Sequence, residues 1–185
     1  MSKIILASQS PRRKDLLQRE GIDFIIDASS IEENLDPSLP LLERLEDLAK
    51  QKGQPIHEIY PEDIVISADT TVYHNGEILG KPKDEADARR MLLGLSDDTH
   101  SVFTAVAIFF PDLCVSFVDE TKVTFINIED QLDDYIKTMD WTDKAGGYGI
   151  QTYASKFVKG IEGDFDNVVG LPVKRIVDIL RKHQD

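Results

Sequence analysis

Apolar and polar positions alternate along this chain in short blocks. Residues 3–7 are an aliphatic run that ends in the polar turn Ser8-Gln9-Ser10-Pro11, and residues 12–20 set the Leu16/Leu17 pair in a charged background closed by Gly21. The pattern predicts strand, loop and helix, with Ser10 as N-cap and Pro11 at the first helical position. Residues 23–26 predict a second strand, 29–39 a polar loop, and 41–52 a helix with leucines at 41, 42, 45 and 48 on one face, ended by Gly53 and Pro55. Residues 64–68 predict a strand, and 71–73 with 77–79 predict a hairpin around Asn75-Gly76. That places Asp69 near a strand end. Asp84 caps a predicted helix over 85–93 closed by Gly94. Two long strands follow over 101–110 and 115–127, turning at Pro111-Asp112. A helix over 129–139, a glycine-rich loop over 140–149, a strand over 156–160 with a turn at Glu162-Gly163-Asp164, and a helix over 172–182 complete the chain. Helical crossovers combined with a central run of consecutive strands predict an α/β (α+β) chain with a mixed central β-sheet flanked by helices.

Composition narrows the class. The 185 residues, 41% hydrophobic and 30% charged, suit one domain with one sizeable core. The longest apolar runs, such as 104–111, are punctuated well short of a membrane span, and the apolar stretch after Lys3 is too short for a secretory signal. A soluble, cytoplasmic protein with no membrane partner is expected. The lone Cys114, in an apolar-rich stretch, reads as a buried structural thiol without a catalytic role. His57, His74, His100 and His183 have no metal-ligand spacing, and Trp141 reads as a packing anchor. A net charge of −13 argues against duplex nucleic acid as a partner, because phosphate neutralisation needs clustered cations. A phosphate site must then be a local basic pocket.

Three constellations could carry chemistry. In Ser8-Gln9-Ser10-Pro11-Arg12-Arg13-Lys14, hydroxyls, a helix start and consecutive cations follow a strand, which suits a triphosphate as well as it suits a capped helix with a solvated basic first turn. Cations there oppose the helix dipole and call for an anion or acidic neighbours. In Ser67-Ala68-Asp69-Thr70-Thr71, with Gly80-Lys81-Pro82 close behind, Asp69 either accepts a proton from water or holds Mg²⁺ while Lys81 meets phosphate oxygens, or it caps a turn. In Asp143-Lys144-Ala145-Gly146-Gly147-Tyr148-Gly149-Ile150-Gln151, the glycines allow close approach, Tyr148 offers a ring face and Gln151 a donor and an acceptor. Those are parts of a base-recognition loop, or of a plain flexible one. No Walker or dinucleotide glycine motif is present in the sequence.

Together these segments resemble the Maf family of nucleotide pyrophosphatases. The resemblance rests on residues 8–13 with Leu16-Leu17, Glu32-Glu33, Lys52, Ala68-Asp69-Thr70, Gly80-Lys81-Pro82, residues 144–151 and Val169-Gly170-Leu171-Pro172, in order along nearly the whole chain. The Lys-Ala-Gly-x-Tyr-Gly-Ile-Gln form is similar to the branch acting on dTTP and UTP. The resemblance implies a bilobed fold with a cleft, like that of inosine triphosphate pyrophosphatases, and hydrolysis of a nucleoside triphosphate to monophosphate and pyrophosphate. It also implies a homodimer. Asp69 would be the proton acceptor, with Glu33 a second carboxylate for metal or water. Arg12, Arg13, Lys52 and Lys81 would grip the triphosphate, Ser8 would sit against it, and Thr70 and Gln151, with Arg12, would set base choice. Related activities are a 7-methyl-GTP or ITP-type house-cleaning pyrophosphatase, and a regulator of cell division that binds nucleotide without turnover. Ser67, Gly53 and Thr152 depart from the commonest family pattern.

An aspartate in water has a pKa of about 3.9, too low to deprotonate free water efficiently. Either a divalent cation acidifies the water, or Asp69 mainly positions it and accepts the proton late; a divalent cation, Mg²⁺ or Mn²⁺, held by Asp69 and Glu33 is therefore expected.

Overall fold

The computed structural model describes residues 2–183. Ser10 caps α1 (Pro11–Arg19) as its sequence predicts, and the chain leaves the helix through Gly21 at φ +72°. The strands are β1 (Ile4–Leu6), β2 (Ile25–Ile26), β3 (Ile64–His74), β4 (Glu77–Leu79), β5 (Thr99–Phe109), β6 (Cys114–Phe125) and β7 (Val158–Glu162). The helices after α1 are α2 (Leu41–Ile59), α3 (Glu85–Leu95), α4 (Glu129–Lys137), α5 (Phe165–Val169) and α6 (Val173–His183). The strands form a seven-stranded sheet in the order β2-β1-β3-β5-β6-β7, with β4 on β3. Parallel pairs (β1 with β2 and with β3) and antiparallel pairs (β3 with β4, β6 with β7) make it the mixed sheet expected.

The chain divides into two compact units. The first holds the residues up to Asp69, Thr104–Asp119 and those from Gly170 onward; its parallel strands align Ile5 with Ile25 and Val65, and Leu6 with Ile26 and Ile66. Ile5, Leu6, Val65 and Ile66 are buried, so this is the near-continuous apolar pattern of a sheet covered on both faces. The second unit holds Thr70–Phe103 and Glu120–Val169. Its core is aromatic: Phe125 lies edge-on to Tyr148 and Phe157, and Tyr135 edge-on to Phe157. Trp141 is buried there and donates from Nε1 to the Ile136 carbonyl at 3.0 Å, as a packing anchor should.

Several boundaries differ from the sequence reading. Helix α2 does not stop at Gly53 and Pro55; it runs to Ile59, because Ile56 extends the buried stripe of Leu45, Leu48 and Ala49. Burial there outweighs the backbone hydrogen bond that Pro55 cannot donate. Helix α3 likewise passes Gly94 to Leu95, which is fully buried. Strand β3 continues through Asp69, whose β-branched successors Thr70, Thr71 and Val72 favour extension, so Asp69 is a mid-strand residue rather than one at a strand end. Cys114 opens β6 with an exposed thiol, contrary to the buried position expected; the alternation of β6 turns it outward. Helix α5, one short turn, was not expected. No described helix is long and apolar enough to cross a membrane.

Candidate active site

The basic start of α1 is built as an anchored corner. The Ser10 hydroxyl accepts the Arg13 backbone N–H at 3.4 Å, and the first turn carries no acidic residue. Ser8 is buried, and its hydroxyl accepts from the Ser10 backbone N–H at 3.2 Å and from Arg13 Nη1 at 3.2 Å. Arg13 Nε donates to the Gly170 carbonyl at 2.8 Å, which gives the Val169-Gly170-Leu171-Pro172 motif a physical task. Burial pulls the Arg13 pKa below its ordinary value, the charge of Asp69 raises it, and that of Arg12 lowers it. Arg12 and Asp69 thus both lie within electrostatic range of Arg13.

Lys52 projects from α2 and gathers two carboxylates. Its ammonium donates to Asp69 Oδ1 on β3 and lies 2.9 Å from Glu33 Oε1 on the loop before α2. The Asp69 and Lys52 side chains keep 16% and 22% of their surface exposed, against 53% for Glu33, so the pair is sheltered yet reachable by solvent. Two buried contacts set the helix at this height over the strand. The Ser67 hydroxyl donates to the Ala49 carbonyl at 2.7 Å, and Gly53 allows α2 to close on Phe109. The two departures at positions 53 and 67 therefore fit each other.

In the second unit, the structure brings the Lys81 segment and the glycine loop together. The Gly146 N–H donates to the Gly80 carbonyl at 3.0 Å, and a Cβ at Gly147 would stand 3.3 Å from Pro82. Gly146 and Gly147 both take positive φ, +70° and +78°, in a 3₁₀ turn over Ala145–Gly147, so glycine is required there by backbone as well as by space. The loop is not plainly flexible. The Tyr148 ring is buried, its hydroxyl is 2.6 Å from His100 Nε2, and the Tyr135 hydroxyl donates to the Gly147 carbonyl at 2.8 Å. Lys81, between Gly80 and Pro82, and Gln151, after the loop, are exposed, and Thr70 is half-buried in β3.

Ser8, Arg12, Arg13, Glu33, Lys52 and Asp69 thus belong to the first unit, and Thr70, Lys81 and Gln151 to the second. Among the described residues no group of three His, Cys, Asp or Glu side chains forms a metal set. Glu33 and Asp69, two carboxylates on one ammonium, instead suit a hard cation that takes one or two carboxylates and fills its shell with water and phosphate oxygens. Sequence reasoning missed the supporting residues, Ser67, Gly53 and the carbonyl of Gly170. The departure from pattern at 53 and 67 was the only signal of the first two.

The family model for Maf-like protein matches residues 3–183. The chain belongs to the Maf family. Among curated relatives, a "dTTP/UTP pyrophosphatase" of Pyrococcus abyssi is 47% identical over 96% of this chain and 95% of its own length. A "dTTP/UTP pyrophosphatase" of Bacillus cereus (strain ATCC 10987 / NRS 248) is 45% identical over 98% of this chain and 90% of its own. Among solved structures, the Staphylococcus aureus Ham1 protein overlaps 67% of this chain and 72% of its own at 15% identity, with a TM-score of 0.47.

Proposed function

We propose that this Maf-family protein hydrolyses dTTP and UTP to the monophosphate and pyrophosphate. The observation that carries the reading is the convergence of Asp69 and Glu33 on Lys52, in a chain 45–47% identical to relatives named for that activity. In this reading water attacks the α-phosphorus. The water oxygen forms the new P–O bond, its proton passes to Asp69, and the bond to the bridging oxygen breaks so that pyrophosphate leaves. Lys52 holds the Asp69 carboxylate in place before attack and offers charge to the oxygens that become more negative. Arg12 and Arg13, at a helix N-terminus whose first turn carries no acidic residue, receive the phosphates.

Ser8 fixes the Arg13 guanidinium through its hydroxyl, and Lys81 adds a further cation to the triphosphate. Asp69 and Glu33 would hold Mg²⁺ or Mn²⁺, which supplies acidification of water and neutralisation of phosphate charge. Thr70 and Gln151, with Arg12, choose the base. Gln151 follows a loop that the Tyr148 and Tyr135 hydrogen bonds hold in place, which anchors the backbone from which its exposed side chain would meet the base. A cytoplasmic, homodimeric enzyme completes the proposal.

A substrate panel tests it. Pyrophosphate release from dTTP and UTP should exceed that from 7-methyl-GTP and ITP by roughly 100-fold or more in kcat/KM. Preference for either purine nucleotide would overturn the assignment of the base.

A further inference from the structure

Glu33 lies on a stretch, residues 27–40, that contains no helix or strand, and its side chain is 53% exposed. A carboxylate so placed would swing freely unless the backbone beneath it were held. The hold comes from the residue beside Lys52. Gln51 Oε1 accepts the Asn34 N–H at 3.2 Å, and Gln51 Nε2 donates to the Asn34 carbonyl at 2.8 Å. One side-chain amide thus pairs with both backbone groups of the residue that follows Glu33, much as a neighbouring strand would.

The orientation of that amide is itself set by chemistry. Gln51 Nε2 also donates to Asp47 Oδ2 at 2.7 Å, one helical turn earlier on α2. A carboxylate only accepts, so the amide nitrogen must face Asp47, and the oxygen is left for the Asn34 N–H. Both amide protons and the carbonyl are used. The next residue on each side of this clamp belongs to the Lys52–Glu33 ion pair: Lys52 follows Gln51, and Glu33 precedes Asn34.

We propose that Gln51 is a positioning residue, whose amide clamps the backbone of Asn34 and so sets the Glu33 carboxylate on Lys52 beside Asp69. The inference rests on the proposed role of Glu33 in hydrolysis. It predicts that Gln51 acts on the reaction only through Glu33. Glutamate at 51 cannot replace it, since a carboxylate keeps the acceptor for the Asn34 N–H, loses the donor to its carbonyl and repels Asp47.

The test is a double-mutant cycle on dTTP hydrolysis by full-length protein with Mg²⁺, comparing wild type, Gln51→Ala, Glu33→Gln and the double variant. Amide hydrogen exchange at Asn34 is followed in wild type and Gln51→Ala. The expected result is a kcat loss of roughly 10-fold in Gln51→Ala, with KM for dTTP and the melting temperature unchanged. Gln51→Glu is expected to be no better, Glu33→Gln to be impaired, and Gln51→Ala to add nothing to it. Exchange at Asn34 should accelerate. An impaired Glu33→Gln protein in which Gln51→Ala costs as much as it does in wild type would overturn the inference alone, as would unchanged exchange at Asn34. A Glu33→Gln protein as active as wild type would remove Glu33 from the reaction, and the inference with it.

Discussion

Ser67 donates its hydroxyl to the carbonyl oxygen of Ala49 at 2.7 Å, tying the strand that carries Asp69 to the helix that carries Lys52. Gly53 lies under the same contact. A Cβ there would stand 2.4 Å from Phe109 Cε2 and 2.5 Å from Ser67 Oγ, so α2 reaches this depth only because position 53 has no side chain.

Gly53→Ala is therefore expected to destabilise the protein by about 1–3 kcal/mol through overpacking. Ser67→Ala should cost about 1 kcal/mol for the buried hydrogen bond. In the double variant the costs should sum to less, since the hydroxyl half of the clash is gone while Phe109 remains. Urea midpoints at constant slope measure all three; a Gly53→Ala protein as stable as wild type would contradict the packing described.

Lys81 is exposed after β4, and its proposed work is electrostatic. Lys81→Ala should fold with stability within about 0.5 kcal/mol of wild type while losing roughly 100-fold in kcat/KM for dTTP. Near-normal turnover would remove Lys81 from the mechanism.

Burial pulls His100 from 6.5 down to about 3, with the charge of His74 lowering it further and that of Asp98 opposing. The folded state keeps this imidazole neutral where the unfolded chain protonates it. Its contribution to stability is thus fully present above pH 6.5 and is lost as pH falls from there toward 3. Wild type should lose about 2 kcal/mol more than His100→Gln between about pH 7 and pH 5. Equal losses in denaturation experiments at the two pH values would show that His100 titrates as it does in the unfolded chain.

Gly146→Ala would force a side chain to φ +70° and within 2.9 Å of Val72 Cγ2. The loop that ends at Gln151 should shift. Discrimination of UTP from ITP should fall, and it should fall further than turnover of UTP does. Unchanged selectivity would dissociate the loop from base choice.

Much of this was legible in the sequence where one residue type has one strong physical reason to be where it is. Ser10-Pro11 marked the start of α1, Asp84 the start of α3, and Asn75-Gly76 the β3–β4 turn, with Asn75 and Gly76 both at positive φ. Signals that tertiary burial can override were misread. Gly53, Pro55 and Gly94 look like helix ends, but Ile56 and Leu95 are buried and carry the helices past them. Asp69 looks like a strand breaker, yet it sits mid-strand facing a lysine from another element. The clamp of Gln51 on Asn34 joins residues 17 apart in sequence, and neither belongs to a motif, so only the fold reveals it. The glycine loop read as either a base-recognition loop or a plain flexible one, and its rigidity was not legible, because that comes from Tyr148, Tyr135 and His100 in separate elements.

The central claim is that Asp69, held by Lys52, accepts the proton of the attacking water. Pyrophosphate release from dTTP in the presence of Mg²⁺ or Mn²⁺, by wild type and by Asp69→Asn, tests it most directly, because asparagine keeps the shape and loses the proton acceptor. Steady release by wild type and a loss of at least about 100-fold in the variant are expected if the claim holds. Equal rates in the two proteins, or release by neither, would contradict it.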